Sequence, residues 1–460
     1  MTDLEALAGQ AVDLAGTALA GVEVAVQADR HRVGLTRFAN SVIHQNVAED
    51  VTTVHVQLHH DGRTAAGSAT VLDDDGLRAL VDRIVDAVRI APPDVGWPGL
   101  APPAGMPEVD APDPATADAA PQARAEIVRS FVDGAGGLEA AGFCRTSHWE
   151  GAFANSAGHA ATVDGGECGL SGIARIDGAD GVARHAPLRL AELDGAALGA
   201  RAAAKARAWA DPIELPPDRY EVVLEPTAVA DLVEALAGVG FNGKFVNEGR
   251  SFARPGEDQL DPSITMVDDP LALGHRYDAD GTPRRRLTLV DRGTTAALTY
   301  DRRAAAEAGV EATGHAAMGR FAWGPTARHL GIEATDAAVS PDEVDGPIAD
   351  SSVAAIVADV ERGVLVSDLW YTRLLDPRTL VLTGLTRNGV WLIEDGAVTS
   401  PLRNFRFTQS YVQALMPGSV LAVGGAATPL PGDTYTATSP RWSCPALRLA
   451  SWNFTGGASG

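Results

Sequence analysis

The stretch APPDVGWPGLAPPAGMPEVDAPDPATADAAPQ, residues 91–122, holds nine of the chain's 28 prolines. Proline lacks a backbone N–H and fixes φ, so neither a helix interior nor a central strand can run through such a density. The segment predicts an extended connector, and it forces the fold to be assembled from parts on either side. A chain of 460 residues also exceeds what one core ordinarily supports. The parts expected are an N-terminal α+β domain over 1–90, the connector over 91–122, and a middle α+β segment over 123–215 that packs with the N-terminal domain. A β-rich, barrel-like C-terminal domain follows over 216–460. DPIELPPD, residues 211–218, marks the second boundary.

Local patterns fill these parts. Leu77, Leu80, Val81, Ile84, Val85 and Val88 recur at helical spacing and predict an amphipathic helix. VTTVHVQLHHDGRTAAGSAT reads as two strands around an Asp61-Gly62 turn. ARAEIVRSFVDGA and LGARAAAKARAWA read as helices of the middle segment. Beyond residue 218 strands dominate, among them RYEVVLEP, RTLVLTG and VWLIEDGAVTSPLRNFRFTQS. In the last of these Trp391, Ile393, Phe405 and Phe407 alternate as strand core, with Arg406 on the other face. The class is α+β.

Charge and cysteine usage exclude several functions. A net charge of -23 repels phosphates and argues against nucleic-acid binding. The N-terminus carries Asp3, Glu5 and Asp13 with no basic region, so it reads as a helix and not a signal peptide. No uninterrupted apolar run approaches the roughly 18 residues of a membrane span. Cys144, Cys168 and Cys444 have no CxxC spacing and suit a reducing, cytoplasmic compartment as buried small residues.

The candidate sites are few. DLVEALAGVGFNGKFVNEGRSF, residues 231–252, places Glu234 inside an apolar helical stripe of Val229, Leu232, Val233 and Leu236. Gly238, Gly240 and Gly243 satisfy GxGxxG, but a dinucleotide site needs those glycines before a helix. Here they follow one, and left-handed glycines ending that helix are expected. YDADG (277–281) alternates two aspartates as a calcium loop does, yet TPRRRL follows where a distal glutamate is required, so a tight turn is expected. His59 and His60 are adjacent and point to opposite faces of a strand. Glu311 and His315 have helical spacing, with Gly314 expected to end that helix. No HExxH and no GxSxG occurs.

Several longer motifs in order carry a resemblance. ITMVDDPLALGHRYDADGTPRRRLTLVDRG (264–293), LTYDRRAAAEAGVEATGHAAMGR (298–320), TGLTRNGVWLIEDGAVTSPLRNFRFTQS (383–410) and PALRLASWNFTGG (445–457) resemble the TldD/TldE (PmbA) metallopeptidase family. RFANSVIHQN (37–46) is similar to its opening strand turn. The resemblance is weakest over 91–210. It implies a peptidase of two related subunits, in which a TldD-type helix with His-Glu-x-x-x-His and a later cysteine bind zinc. Nitrogen and thiolate ligands suit zinc, and an open position lets the metal acidify water.

On that resemblance Val233 stands at the first histidine, Glu234 at the glutamate and Gly238 at the second histidine. Neither valine nor glycine has a ligand atom. The later cysteine is missing from ATPLPGDTYTATSPRWS, and Cys444 directly abuts Pro445. The resemblance therefore implies a TldE-like subunit with no metal or catalytic residue of its own. Zinc is expected in a TldD-like partner. The pair would bind an unfolded or leader peptide as an extended strand. A homodimer is the expectation in isolation. Three other readings stand beside this one. The chain could bind metal through His275, His315 or Asp268, act as a stand-alone peptide-binding or regulatory module, or use a hydroxyl nucleophile.

Overall fold

The computed structural model describes residues 3–317, 323–335, 346–348, 350–432 and 440–457. Strands β1 (Glu23–Ala39), β2 (Val42–His60), β3 (Arg63–Ala69), β4 (Glu139–Asn155), β5 (Ala160–Ile176) and β6 (Ala179–His185) form one sheet in the order β3-β2-β1-β4-β5-β6. Asp61 and Gly62 join β2 to β3 with φ of 48° and 71°, the positive pair that a two-residue hairpin needs. Strands from both sides of the proline-rich segment thus share one sheet, because β1 pairs with β4 along almost its whole length.

Helices cover this sheet. α1 (Leu4–Ala18) and α2 (Asp74–Ile90) pack over β1 and β2, and the six apolar residues expected on the α2 stripe are all buried. Beyond α3 (Pro114–Ala117), α4 (Pro121–Gly134) and α5 (Gly195–Ala208) pack on the β4–β6 side. Gly199 sets how closely the last two approach, since a Cβ there would lie 2.0 Å from the Phe131 carbonyl oxygen.

Most of the proline-rich segment carries no regular element, and α3 and the first turn of α4 lie within it. It is also tied down on both sides. Trp97 stacks on His59 at 4.6 Å and donates to Glu23 at 2.7 Å. Asp94 takes a two-pronged ion pair from Arg303, both contacts 2.8 Å, and Arg276 donates to the Pro107 carbonyl at 2.8 Å.

In the second half, β7 (Arg219–Leu224) pairs with Arg362–Asp376 on one side and Leu447–Gly457 on the other. Phe405–Ser410 and Val381–Glu394 continue the sheet, and Val381–Glu394 pairs back onto Arg362–Asp376. These strands therefore close on themselves as a small barrel, which removes their open edges. Phe405 and Phe407 are buried while Arg406 is exposed, the alternation expected, but Val390, Trp391, Leu392 and Ile393 are all buried, because Val390 and Leu392 face the large core and Trp391 and Ile393 pack in a second cluster with Val353 and Val357. A second sheet contains Met266–Asp268, Leu287–Asp291 and His329–Ile332 and packs against the same large core. Helix α6 (Pro226–Ala235) follows β7 directly and lies between barrel and second sheet.

Candidate functional site

Helix α6 starts at Pro226, where a missing N–H costs nothing. Its Ala228, Val229, Leu232 and Val233 are completely buried, which turns Asp231 and Glu234 the other way. After Ala235 the helix widens into a π-turn over Leu236–Gly240, and the Phe241 N–H reaches back five residues to the Leu236 carbonyl at 2.8 Å. This corrects the expectation of left-handed glycines at a helix end. Gly238, Gly240 and Gly243 do not have positive φ. Space is what Gly243 supplies, since a Cβ there would lie 2.3 Å from the Tyr300 ring. Single π-turns inside helices are frequent at functional sites.

A cavity of about 570 Å³ opens beside this turn. Asp231, Glu234, Ala235 and Gly238 form one wall; Leu369, Trp370, Tyr371 and Thr372 form the facing one; Trp442 and Leu382 lie between. The two main walls are tied together. Thr372 Oγ1 donates to Asp231 Oδ2 at 2.8 Å, and the Tyr411 hydroxyl donates to Asp231 Oδ1 at 2.5 Å. Burial, with the Asp231 and Glu234 carboxylates nearby, holds the Tyr411 hydroxyl well above its ordinary pKa. It therefore stays protonated and keeps its proton for the bond to Asp231.

The rim is aromatic and exposed. Trp370 is 47% and Tyr371 58% exposed, and Tyr371 holds φ of 54° where the strand pairing shifts register. Non-glycine residues at such φ persist where surrounding contacts hold them, and the Thr372–Asp231 bond supplies one. The Arg373 guanidinium lies 4.2 Å from the Tyr371 ring centre and that of Arg387 4.9 Å from Trp370. Behind the wall the buried Asp368 accepts from Arg184 at 3.1 and 3.0 Å, from Arg387 at 3.0 Å and from Asn388 at 2.9 Å. Carboxylates on one wall and aromatic rings on the other make this cleft the candidate site.

The three residues singled out on the helix do not converge. Val233 is sealed in the core, Glu234 is exposed toward the cavity, and Gly238 lines it. Among the described residues, a Cβ at Gly238 would meet only Trp323 Nε1, at 3.9 Å. Cys444 is buried in the apolar core, where burial pushes its thiol up, and it is not part of the cavity lining. This set does not fit zinc. Residues 433–439 of the segment before Cys444, and 318–320 at the end of the 298–320 motif, lie outside the described residues.

His275, His315 and Asp268 do not assemble a metal site either. His315 Nε2 lies 3.0 Å from Asp268 Oδ2, both fully buried, and His315 Nδ1 lies 2.8 Å from Thr313 Oγ1. Asp268 Oδ1 accepts the backbone N–H groups of Arg328 and His329 at 3.0 and 2.7 Å. Burial alone would raise this carboxyl, but the His315 contact and the His329 N–H hold it below its ordinary range. His275 instead stacks on Trp149 at 4.7 Å. Among the described residues no group of three His, Cys, Asp or Glu side chains is placed to hold a metal. The helix expected to end at Gly314 ends earlier, at Gly309, so Glu311 and His315 share no helical face. The YDADG segment is a turn, as expected: Asp278 accepts from the N–H groups of Asp280 and Thr282, each at 2.9 Å.

Sequence reasoning missed Asp231, Thr372, Tyr411 and the Trp370–Tyr371 rim. Asp231 precedes Glu234 by three residues, a helical spacing that could have been read as one face. Its partners lie 141 and 180 residues away and left no local signal.

The closed barrel, the second sheet and the π-turned helix that walls the cleft all lie in the second half of the chain. Residues 217–456 match the PmbA/TldA metallopeptidase C-terminal domain, and the chain belongs to this PmbA/TldD family. The whole fold is shared with solved structures. TldE from Thermococcus kodakarensis aligns with a TM-score of 0.84 and 18% identity over 98% of this chain and 100% of that one. A proposed modulator of DNA gyrase from Thermotoga maritima aligns at 0.81 and 16% identity over 98% and 100%. Another, from Bacteroides thetaiotaomicron, aligns at 0.78 and 18% identity over 98% of each chain. No curated protein matches the chain.

Proposed function

We propose that this chain is the metal-free, TldE-like member of a two-chain peptidase, pairing with a TldD-like chain that carries the zinc. The observation that carries the proposal is the cavity-side helix. Two of its three family site positions hold Val233, sealed in the core, and Gly238, which has no side chain. Glu234 remains but has no metal-bound water to activate. The fold shared with a protein named TldE supports the assignment. In this reading the chain's own residues bind and orient. The cleft receives an extended, unfolded or leader-type peptide, and the exposed Trp370–Tyr371 rim contributes to its entrance. The pair works in the cytoplasm.

The test measures zinc in the dialysed chain and cleavage of an unfolded peptide. We expect zinc near zero, no cleavage by the chain alone, and cleavage once a TldD-like protein is added. Cleavage by the metal-stripped chain alone, or one zinc per chain, would overturn the proposal.

A further inference from the structure

Two buried ion pairs reach the walls of the cleft from the other half of the chain. Lys205, on α5, is buried and pairs with the equally buried Glu225, the residue immediately before α6. Glu225 Oε2 also accepts from Ser367 Oγ at 2.7 Å, and the Glu225 N–H donates to the Val366 carbonyl at 3.0 Å. Arg184, on β6, makes the two-pronged pair with Asp368, which follows Ser367 directly and precedes the wall residues 369–372. The same Asp368 accepts from Arg387, whose guanidinium covers the Trp370 ring. The helix wall and the aromatic wall therefore start from one polar knot of Glu225, Ser367 and Asp368. Each carboxylate of that knot takes a cation from the N-terminal half.

We infer that Lys205 and Arg184 are positioning residues for the cleft. Neither lines the cavity, and both fix how its two walls stand to each other. The inference rests on the reading of this cleft as the chain's binding site and names what sets its width. Stability is a poor reason for such pairs. Two ions taken out of water lose hydration that their attraction only just restores, and apolar residues of the same volume commonly do as well or better. Glu225 illustrates the cost, since its Oε1 is buried with no hydrogen-bond partner. What an apolar pair lacks is direction. A carboxylate that must meet an ammonium and a hydroxyl at once admits few arrangements, and this one is joined directly to α6. Farther along the walls, the 2.8 Å bond from Thr372 to Asp231 depends on those roots staying in register.

The test is hydrogen exchange read by mass spectrometry on the full chain, with fluorotryptophan NMR of Trp370 assigned through Trp370→Phe. Lys205→Met with Glu225→Met removes the first pair as a unit. Arg184→Met removes the second, while Asp368 keeps Arg387 and Asn388. In either variant we expect the amides of 226–240 and 368–373 to exchange about tenfold faster and those of α2 to exchange as in the parent chain. The Trp370 resonance should shift. Ser367→Ala removes one hydroxyl and should act in the same direction by about threefold, and it stands in if the double variant does not fold. Unchanged exchange in both walls with an unmoved Trp370 resonance would overturn the inference. So would exchange that rises equally in α2, because that is a loss of global stability and not of position. Unmoved walls in variants that still support cleavage beside a TldD-like protein would sink the positioning role and leave the peptidase reading intact. Walls that move in a chain that never supports cleavage would do the reverse.

Discussion

The segment from Ile264 to His315 and the π-turned helix α6 lie in the same half of the chain but treat polar groups in opposite ways. The first carries the most distinctive motif residues and closes them off. Asp268 and His315 are fully buried against each other, and Asp278 spends its oxygens on backbone N–H groups. The second carries almost no motif chemistry yet opens a cleft. Motif density therefore marked scaffold here, and the open surface was built from residues of ordinary appearance. A buried carboxylate must be matched by donors, which constrains the sequence around it. A cleft wall needs only shape and a few charges.

That contrast can be broken by mutation. Asp268→Ala should have the largest effect, because it strands a buried imidazole and two backbone N–H groups. A loss of about 3–5 kcal/mol in urea unfolding is expected. A change under 1 kcal/mol would mean the segment is not scaffold.

Asp29 on β1 comes next. Burial pushes its carboxyl up to about 7, against an ordinary value near 3.8. The unfolded chain therefore releases this proton at lower pH than the folded chain does. Stability from this group is greatest at or below about pH 4, falls as pH rises to about 7, and is flat beyond. Asp29→Asn should remove that slope and raise stability above pH 7 by up to about 4 kcal/mol. An unchanged pH profile would count against it.

Introducing two histidines, Val233→His with Gly238→His, sharpens the comparison from the cleft side. The first imidazole enters a sealed core, so a loss of about 1–3 kcal/mol is expected. Zinc should remain well below one per chain after dialysis, since a side chain at 233 enters the core, away from the cavity that 238 lines, and no cysteine or histidine is among the described lining residues. Stoichiometric zinc would show that the cleft needs less rebuilding than its geometry implies. Glu234→Gln should be the mildest, within about 0.5 kcal/mol in the same unfolding assay, as befits an exposed charge. A larger loss would move Glu234 from the binding surface to the scaffold.

Much of this was legible along the chain. The stripe from Leu77 to Val88, the Asp61-Gly62 turn and the alternation around Phe405 each depend on neighbours a few residues apart. That Val233 and Gly238 offer no ligand atom is visible as letters, whatever the fold. The π-turn was not legible, because glycine signals freedom of φ as readily as need of space. Only the packed Tyr300 ring says which applied at Gly243. Nor did the proline-rich segment announce that it ties β1 and β2 to Arg276 and Arg303.

By itself, then, the sequence determined the α+β class, the local elements and the absence of ligand atoms at positions 233 and 238, since these follow from residue type and short-range spacing. Tertiary structure alone decided that the barrel closes, that Asp231 meets Tyr411 and Thr372, and that the cleft opens beside Glu234. Those outcomes rest on contacts between residues far apart in the chain, whose pairing is settled by which surfaces bury together and which polar groups must then find partners.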